Sequence, residues 1–575
     1  MMEGQILSSN RSVDWTLAGL HDTNTIGFTY YDVTQEGVVP DGLTSANPII
    51  DSLLQLNVSV GIHLYFPAGT YFFDEGITLP SHCLISGDGA ASTHFIFNLG
   101  GSGHAIQSSG TLITYDTCSF QYSGIKDANY IVVSDASIFA SGDWVRIMQE
   151  DSDWVTSSWA LNSVGQIIKI ESIYGDTLFL ASPLRLDFPL SRKPKVIRIN
   201  MKRNMGIQCL SIERMDNTAP EQASNIHFNY AENCWISGVV SNKTTFGHVT
   251  FTGVSNSLIE RCYFYDAFEY GEGGRGYGVV LHFTSNECLV ENNIFRHLRH
   301  SVLLQAGSNG NVISFNYSTD PYWTNSNPLL PANSAGELVL HGNYVYANLF
   351  EHNVVQNIVI DNSHGANGPF NTFLRNRAEL YGFFFSDHTS PSQNIIGNEI
   401  PNNSFPYNMV NYNIAGSDQF TYGNNNKGTV SPAGTENVTD TSYYYIGKPH
   451  FLPDYQWGKI GLPNVMNSGS IPALERFVMQ QYFAGVCGYE DLHTGLIDPP
   501  TIGWNLYPNP ATDLMIIESA DEILRIEIMH LNGQVLYQSN LNMPIDISWL
   551  KHGIYFVKVY GEQGGFVKKL IKAGG

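Results

Sequence analysis

The chain has 575 residues and a formal net charge of −23, with 29 Lys and Arg against 52 Asp and Glu. That balance disfavours nucleic acid as a partner and leaves carboxylates free for catalysis or for calcium, although nothing in the sequence demands a cofactor. Charged residues make up only 14%, Gly numbers 54, and no apolar run reaches the roughly 20 residues that span a bilayer, so the composition describes a turn-rich β protein with no transmembrane segment.

The first residues, MMEGQILSSN, lack the charged and apolar regions of a signal peptide, and a leader is expected to have been removed. Residues 30–56 (YYDVTQEGVVPDGLTSANPIIDSLLQL) and 64–89 (LYFPAGTYFFDEGITLPSHCLISGDG) follow, and Asp41-Gly42 and the YFPAGTY run carry a resemblance. They resemble the start of the pectate-lyase-3 type of right-handed β-helix, in the pectin-lyase-like superfamily. The resemblance implies a capping helix before the first rungs. Ser45 and Ala46 stand where that family has paired acids, which weakens the helix cap and not the fold.

Residues 131–188 read as alternating strands, IVVSDASIFASGDWVRIMQ and VGQIIKIESIYGDTLFLASPLRLDF, and predict a β-hairpin module inserted between early rungs, either a wall for one end of a groove or a mere excursion. Beyond it a column of asparagines sets the period. Asn293, Asn316, Asn353, Asn376 and Asn398 each follow a short apolar strand, at steps of 23, 37, 23 and 22 residues, and the long step holds the Pro/Asn/Ser-rich loop 318–337. Cys262 and Val239 hold the same place earlier, and the 31-residue step from Cys262 to Asn293 holds the Gly-rich insert 269–278. Such a period is a solenoid signal, and stacked turns about 4.8 Å apart let each amide donate and accept along the column. Cys209, Cys234, Cys262 and Cys288 lie inside apolar rungs and read as small buried hydrophobes; no cysteine spacing matches a zinc site.

Residues 401–500 are less periodic and read as last irregular rungs, a helix near 473–486 and a linker. From Asn505 short alternating strands with turn signals at Asn532-Gly533 and His552-Gly553 predict a small β-sandwich. Its YPNP (507–510), LNGQVL (531–536), LKHGIYFVKV (550–559) and KKLIK (568–572) strongly resemble the C-terminal sorting domain of the type IX secretion system of Bacteroidota. That resemblance implies secretion or surface display through the type IX machinery. The expected architecture is therefore all-β: cap and first rungs (1–130), inserted module (131–200), central parallel β-helix (201–400), irregular rungs and linker (401–500), and sorting domain (501–575).

Residues at a fixed offset before the Asn column must also stack. Eleven before it stand Phe251, His282, Gln305 and Asp387, and twelve before it His341 and His364, with His388 adjacent. Alternation in VVLHF (279–283) puts Val279, Leu281 and Phe283 on one face, the more core-like, and Val280 and His282 on the other. This predicts an outward polar stripe of His282, Gln305, His341, His364 and Asp387; the opposite register would bury the histidines. Arg375 and Arg377 flank Asn376, Asp361 lies just before NSHGANGP (362–369), and RHLRH (296–300) follows Asn293. Tyr277, Tyr322 and Trp323 on the two loops offer flat rings for sugar faces.

Imidazoles and guanidiniums with few carboxylates fit an acidic sugar. The leading expectation is β-elimination on a uronate polysaccharide: Arg375 or Arg377, with or without calcium, neutralises the carboxylate, His341 or His364 takes the C5 proton, and Tyr344 or another His protonates the leaving oxygen. A glycoside hydrolase would need a carboxylate pair, from Asp361, Asp387, Glu337, Glu351 and Glu269. A non-catalytic, glycan-binding or adhesive surface protein is the third reading.

Overall fold

The computed structural model describes residues 6–20, 27–56, 60–216, 222–270, 274–322, 336–386, 390–409, 413–483, 504–509, 511–519, 525–529, 535–539, 544–561 and 564–573. The chain divides into two compact units, Met1–Asp491 and Leu492–Gly575.

The first unit is a parallel β-helix. One twelve-stranded sheet runs from Thr29–Asp32 to Phe420–Tyr422, and a second, larger sheet carries the other two strands of each turn. A complete rung is Leu289–Glu291, Ile294–Arg296 and His300–Leu304; the next is Val312–Ser314, Tyr317–Thr319 and Leu338–His341. Within the three-residue strands the middle side chain points inward. Val290, Ile313, Phe350, Phe373 and Ile395 are register neighbours on successive rungs, all buried in one continuous core. The anticipated capping helix is Asn47–Leu54, and Ala46 at its N-cap supplies no side-chain hydrogen bond.

The asparagine column closes this core at a turn. Asn316 Oδ1 accepts from both the backbone N–H and the Nδ2 of Asn293, at 3.0 Å each, and its own Nδ2 donates to Val290 O at 2.8 Å. The pattern repeats through Asn353, Asn376 and Asn398 to Asn424. Upstream, Cys262 N–H donates to Asn293 Oδ1, and Val239 N–H to Cys262 Sγ. Each fully buried amide thereby satisfies a backbone donor that would otherwise cost about 1–3 kcal/mol. A second column runs at another turn, through Cys234, Ser257, Cys288, Asn311, Asn348, Asn371 and Gln393. Cys209 departs from the expected set of free buried thiols, because it is disulfide-bonded.

The inserted module is larger than a hairpin and begins earlier than expected. Six antiparallel strands form it, the outermost in sequence being Thr111–Ser119 and Lys195–Asn200, which pair with each other. Most side chains of Thr111–Ser119 are exposed or half-buried, so it lacks the apolar alternation that announces a strand. The rungs on either side ignore the insertion: Cys83–Gly87 pairs directly with Met205–Gln208, and Ile106–Ser109 with Ile226–Asn229.

The module is bolted to a column of left-handed residues one or two positions before the strands of the twelve-stranded sheet. His82, Asn204, Asn233, Asn256, Glu287, Gly310, Ala347, Phe370 and Ser392 all have φ between 45° and 68°. At Gly310 the glycine is required twice over. Its φ is +64°, and a Cβ there would lie 2.3 Å from Arg185 Nε, the buried guanidinium that the module sends in to pair with Glu287 and Asn309.

After the last rungs, residues 438–469 lie across the helix and the predicted helix is Pro472–Val478. The second unit pairs Trp504–Tyr507, Leu514–Ser519 and Ile545–Asp546 in one antiparallel sheet, and Arg525–Met529, Val535–Ser539, Gly553–Gly561 and Gly564–Lys572 in another. Met515, Ile526, Ile528, Val557 and Leu570 are in its core.

Candidate active site

Alternation puts the histidines outside the core, as Val279 and Leu281 belong to the continuous core and Val280 does not. Phe283, expected on the core side, turns out at φ 51° and packs against the module instead. The register, however, differs from the counted one. Phe251 pairs with Leu281, so Thr252 is the neighbour of His282 and hydrogen-bonds its Nε2 at 2.8 Å. Gln305 follows, its amide 3.5 Å from His341 O, and the partner of His341 on the next rung is Asp361, not His364.

That register creates the central contact. His341 Nδ1 lies 2.6 Å from Asp361 Oδ2, with the two side chains 8% and 1% exposed. Burial alone would raise the Asp361 carboxyl, but the contact and charge of His341, with the hydroxyl and amide of Ser363, outweigh it and hold the group at about 2. In the neutral form of His341, the charge of Asp361 beside Nδ1 favours the proton on that nitrogen and leaves the lone pair on Nε2. His364, in the turn after Asp361, sets its ring 4.8 Å from that of His341 at 77°. Burial and the neighbouring His341 both depress its pKa.

The module completes the site with residues that the periodicity did not single out. Ser157 Oγ is 3.1 Å from His364 Nδ1, and Trp159, 47% exposed, sets its ring 5.8 Å from His364 and 5.7 Å from Phe283. The segment SDWVTSSWALN (152–162) has two tryptophans in polar surroundings, which is the signal that could have marked it. His300, buried 5.7 Å from the His341 ring, donates from Nδ1 to Gly336 O, and burial drives its pKa well below the ordinary value. Burial also takes His282 down to about 4, so these flanking imidazoles are neutral.

Other expected site residues go elsewhere. Arg375 is 3% exposed, and its guanidinium donates to the backbone carbonyls of Val438, Asp440, Gly458, Ile460 and Leu462; burial lowers its pKa to about 10. Arg377 is buried against Glu399 at 3.0 Å and Gly469 O. Both therefore lock the tail onto the helix and do not serve a substrate carboxylate. Tyr344 is stacked under Trp154 at 4.2 Å, with Arg192 on the far side of Trp154, in a docking contact for the module. Tyr277 is buried and stacked on His300 at 5.0 Å, and Tyr322 is stacked on Tyr270 at 4.2 Å. Trp323, Asp387 and His388 lie outside the described residues.

Among the alternative carboxylates, Glu337 and Glu351 are fully buried, the first accepting from Asn357 N–H, the second from Ser442 and Tyr443, while Glu269 pairs with Arg275. No group of three or more His, Cys, Asp or Glu is placed to hold a metal ion among the described residues. Asp361, the carboxylate of this site, is committed to His341.

A coiled core of stacked parallel rungs defines a parallel β-helix protein, followed by a separate unit of antiparallel sheets. Residues 30–133 match the family model for rhamnogalacturonase A/epimerase, pectate lyase-like, and residues 505–573 match the secretion system C-terminal sorting domain. The sorting domain directs the chain to type IX secretion, to the cell surface or beyond. No helix is long and apolar enough to cross a membrane among the described residues. Over 323 residues the chain is 25% identical to a capsule K1-specific depolymerase of Klebsiella phage K64-1, across 50% of this chain and 34% of the relative, so it spans about a third of that protein's length. The tailspike gp61 of Pseudomonas phage phi297 is similar at 14% identity and a TM-score of 0.45, covering 69% of this chain and 65% of that one. The tailspike gp49 of Pseudomonas phage LKA1 is similar at 12% and 0.40, covering 68% and 77%.

Proposed function

We propose that the chain is a secreted polysaccharide-cleaving enzyme that acts on an acidic, uronate-containing glycan by β-elimination at His341. The observation that carries this reading is the His341–Asp361 pair on the outer face, with His364 beside it and Trp159 exposed next to His364. His341 Nε2 takes the C5 proton, its electron pair forms the C4=C5 bond, and the C4–O bond breaks. The leaving oxygen takes its proton from the imidazolium formed on His341 or from water, while neutral His364 packs beside His341 and holds its ring in place. Asp361 stabilises the imidazolium that forms on His341, and the Trp159 ring supports the sugar face.

The depolymerase relative supports polysaccharide cleavage over adhesion alone. A hydrolase built on Asp361 is disfavoured, because a carboxyl held at about 2 carries no proton to donate at neutral pH. The test is the ultraviolet absorbance of the unsaturated product on a panel of uronate polysaccharides, with and without calcium, alongside a reducing-end assay. Rising absorbance abolished by His341→Ala and His364→Ala is expected; new reducing ends without absorbance would overturn elimination.

A further inference from the structure

A cavity of about 500 Å³ opens between the helix and the inserted module, and it shares no residue with the His341 cluster. Its floor is the first half of the left-handed column. Asn204 reaches His82 at 3.2 Å, Asn233 donates to Asn204 at 2.8 Å, and Asn256 donates to Leu17 O. The left-handed backbone, which asparagine tolerates better than most residues, turns these amides outward. They form an external counterpart of the buried ladder, rising one rung at a time under a roof of Trp144, Ile168 and Lys169.

The charges in the cavity do not cancel. Glu287 is consumed by Arg185, and Glu232 faces Arg203 at 3.7 Å with the guanidinium 48% exposed. Lys169 is exposed and makes no ion pair among the described residues, which leaves one positive charge uncompensated on a chain of net charge −23. Trp144 is 6% exposed, lines the cavity, and its indole N–H has no acceptor. A repeated amide floor gives polar edges for the hydroxyls of a sugar chain, and Lys169 with Arg203 suits an acidic substituent.

We propose that this cavity is a second, non-catalytic glycan site that takes an anionic sugar residue. The proposal goes beyond cleavage at His341, since it requires binding and no turnover. The experiment is calorimetric titration of the full chain carrying His364→Ala, so that no probe is consumed, with hexasaccharides of galacturonate, of alginate and of heparin, and with neutral maltohexaose. At least one anionic probe is expected to bind while maltohexaose does not. Lys169→Glu and Arg203→Glu, both at exposed side chains, should each weaken one component of that binding at least tenfold, and Trp159→Ala should leave that component unchanged. Absence of binding by every anionic probe, equal binding of maltohexaose, indifference to both charge reversals, or loss of binding on Trp159→Ala would overturn it. A chain that fails to produce an unsaturated product can still pass this test, so the two proposals fail separately.

Discussion

His341 and Asp361 meet because Leu340 and Ile360 are register partners on successive rungs, which sets the next residue of each strand side by side with Nδ1 2.6 Å from Oδ2. Asp361→Asn keeps the shape and removes the charge that selects the tautomer and stabilises the imidazolium. The expected result is a fall in kcat for unsaturated-product formation of about 10²- to 10⁴-fold with little change in KM. A kcat within a factor of two of the parent would remove Asp361 from the mechanism.

The Trp159 ring, 47% exposed, lies 5.8 Å from that of His364. Trp159→Ala is expected to raise KM by about 2- to 13-fold, the value of one aromatic contact of about 0.5–1.5 kcal/mol, with kcat largely preserved. Initial-rate kinetics on the best polysaccharide of the panel decide this.

Arg375 tests the opposite point. Its five backbone carbonyl acceptors would lose their donor in Arg375→Ala, and a loss of about 3 kcal/mol or more is expected in urea unfolding. Lysine, lacking the planar fork, should restore little of it. At a temperature where the variant stays folded, kcat should match the parent; a large selective loss of kcat would return Arg375 to the site.

Burial raises the Glu337 carboxyl from the ordinary 4.5 to about 8 and that of Glu351 to about 7. A raised folded pKa means that the native state holds protons the unfolded chain has released. The stabilisation is full below about 4.5 and is lost as pH rises through 7 to 8. The thermal midpoint is therefore expected to fall between pH 5 and pH 8.5, and the double variant Glu337→Gln/Glu351→Gln to flatten that fall. An unchanged slope in the variant would show that other groups set it.

The asparagine column was legible because an amide stack demands the same side chain on every rung. The second column was not, since Cys234, Ser257, Cys288 and Asn311 do its work with different chemistry. Counting back from Asn376 crossed the turn between Asp361 and Thr372, whose length the sequence does not declare, and so landed on His364 in place of Asp361. Arg375 and Arg377 were misplaced for a related reason. They sit where the tail packs, and nothing local to TFLRNRAEL says which side of the solenoid that is. Trp159 was missed because it comes from an insertion outside the period altogether.

Since Gly110 leaves and Met201 rejoins the coil beside one another, and the rungs on either side stack as though nothing intervened, residues 111–200 form a contiguous cartridge set into the coil. The coil contributes His341, Asp361 and His364, and the cartridge contributes Ser157 and Trp159 over them. Under the proposed elimination, the stretch that sets Trp159 against the glycan is therefore contiguous in the gene, and the residues proposed to move the proton lie wholly outside it.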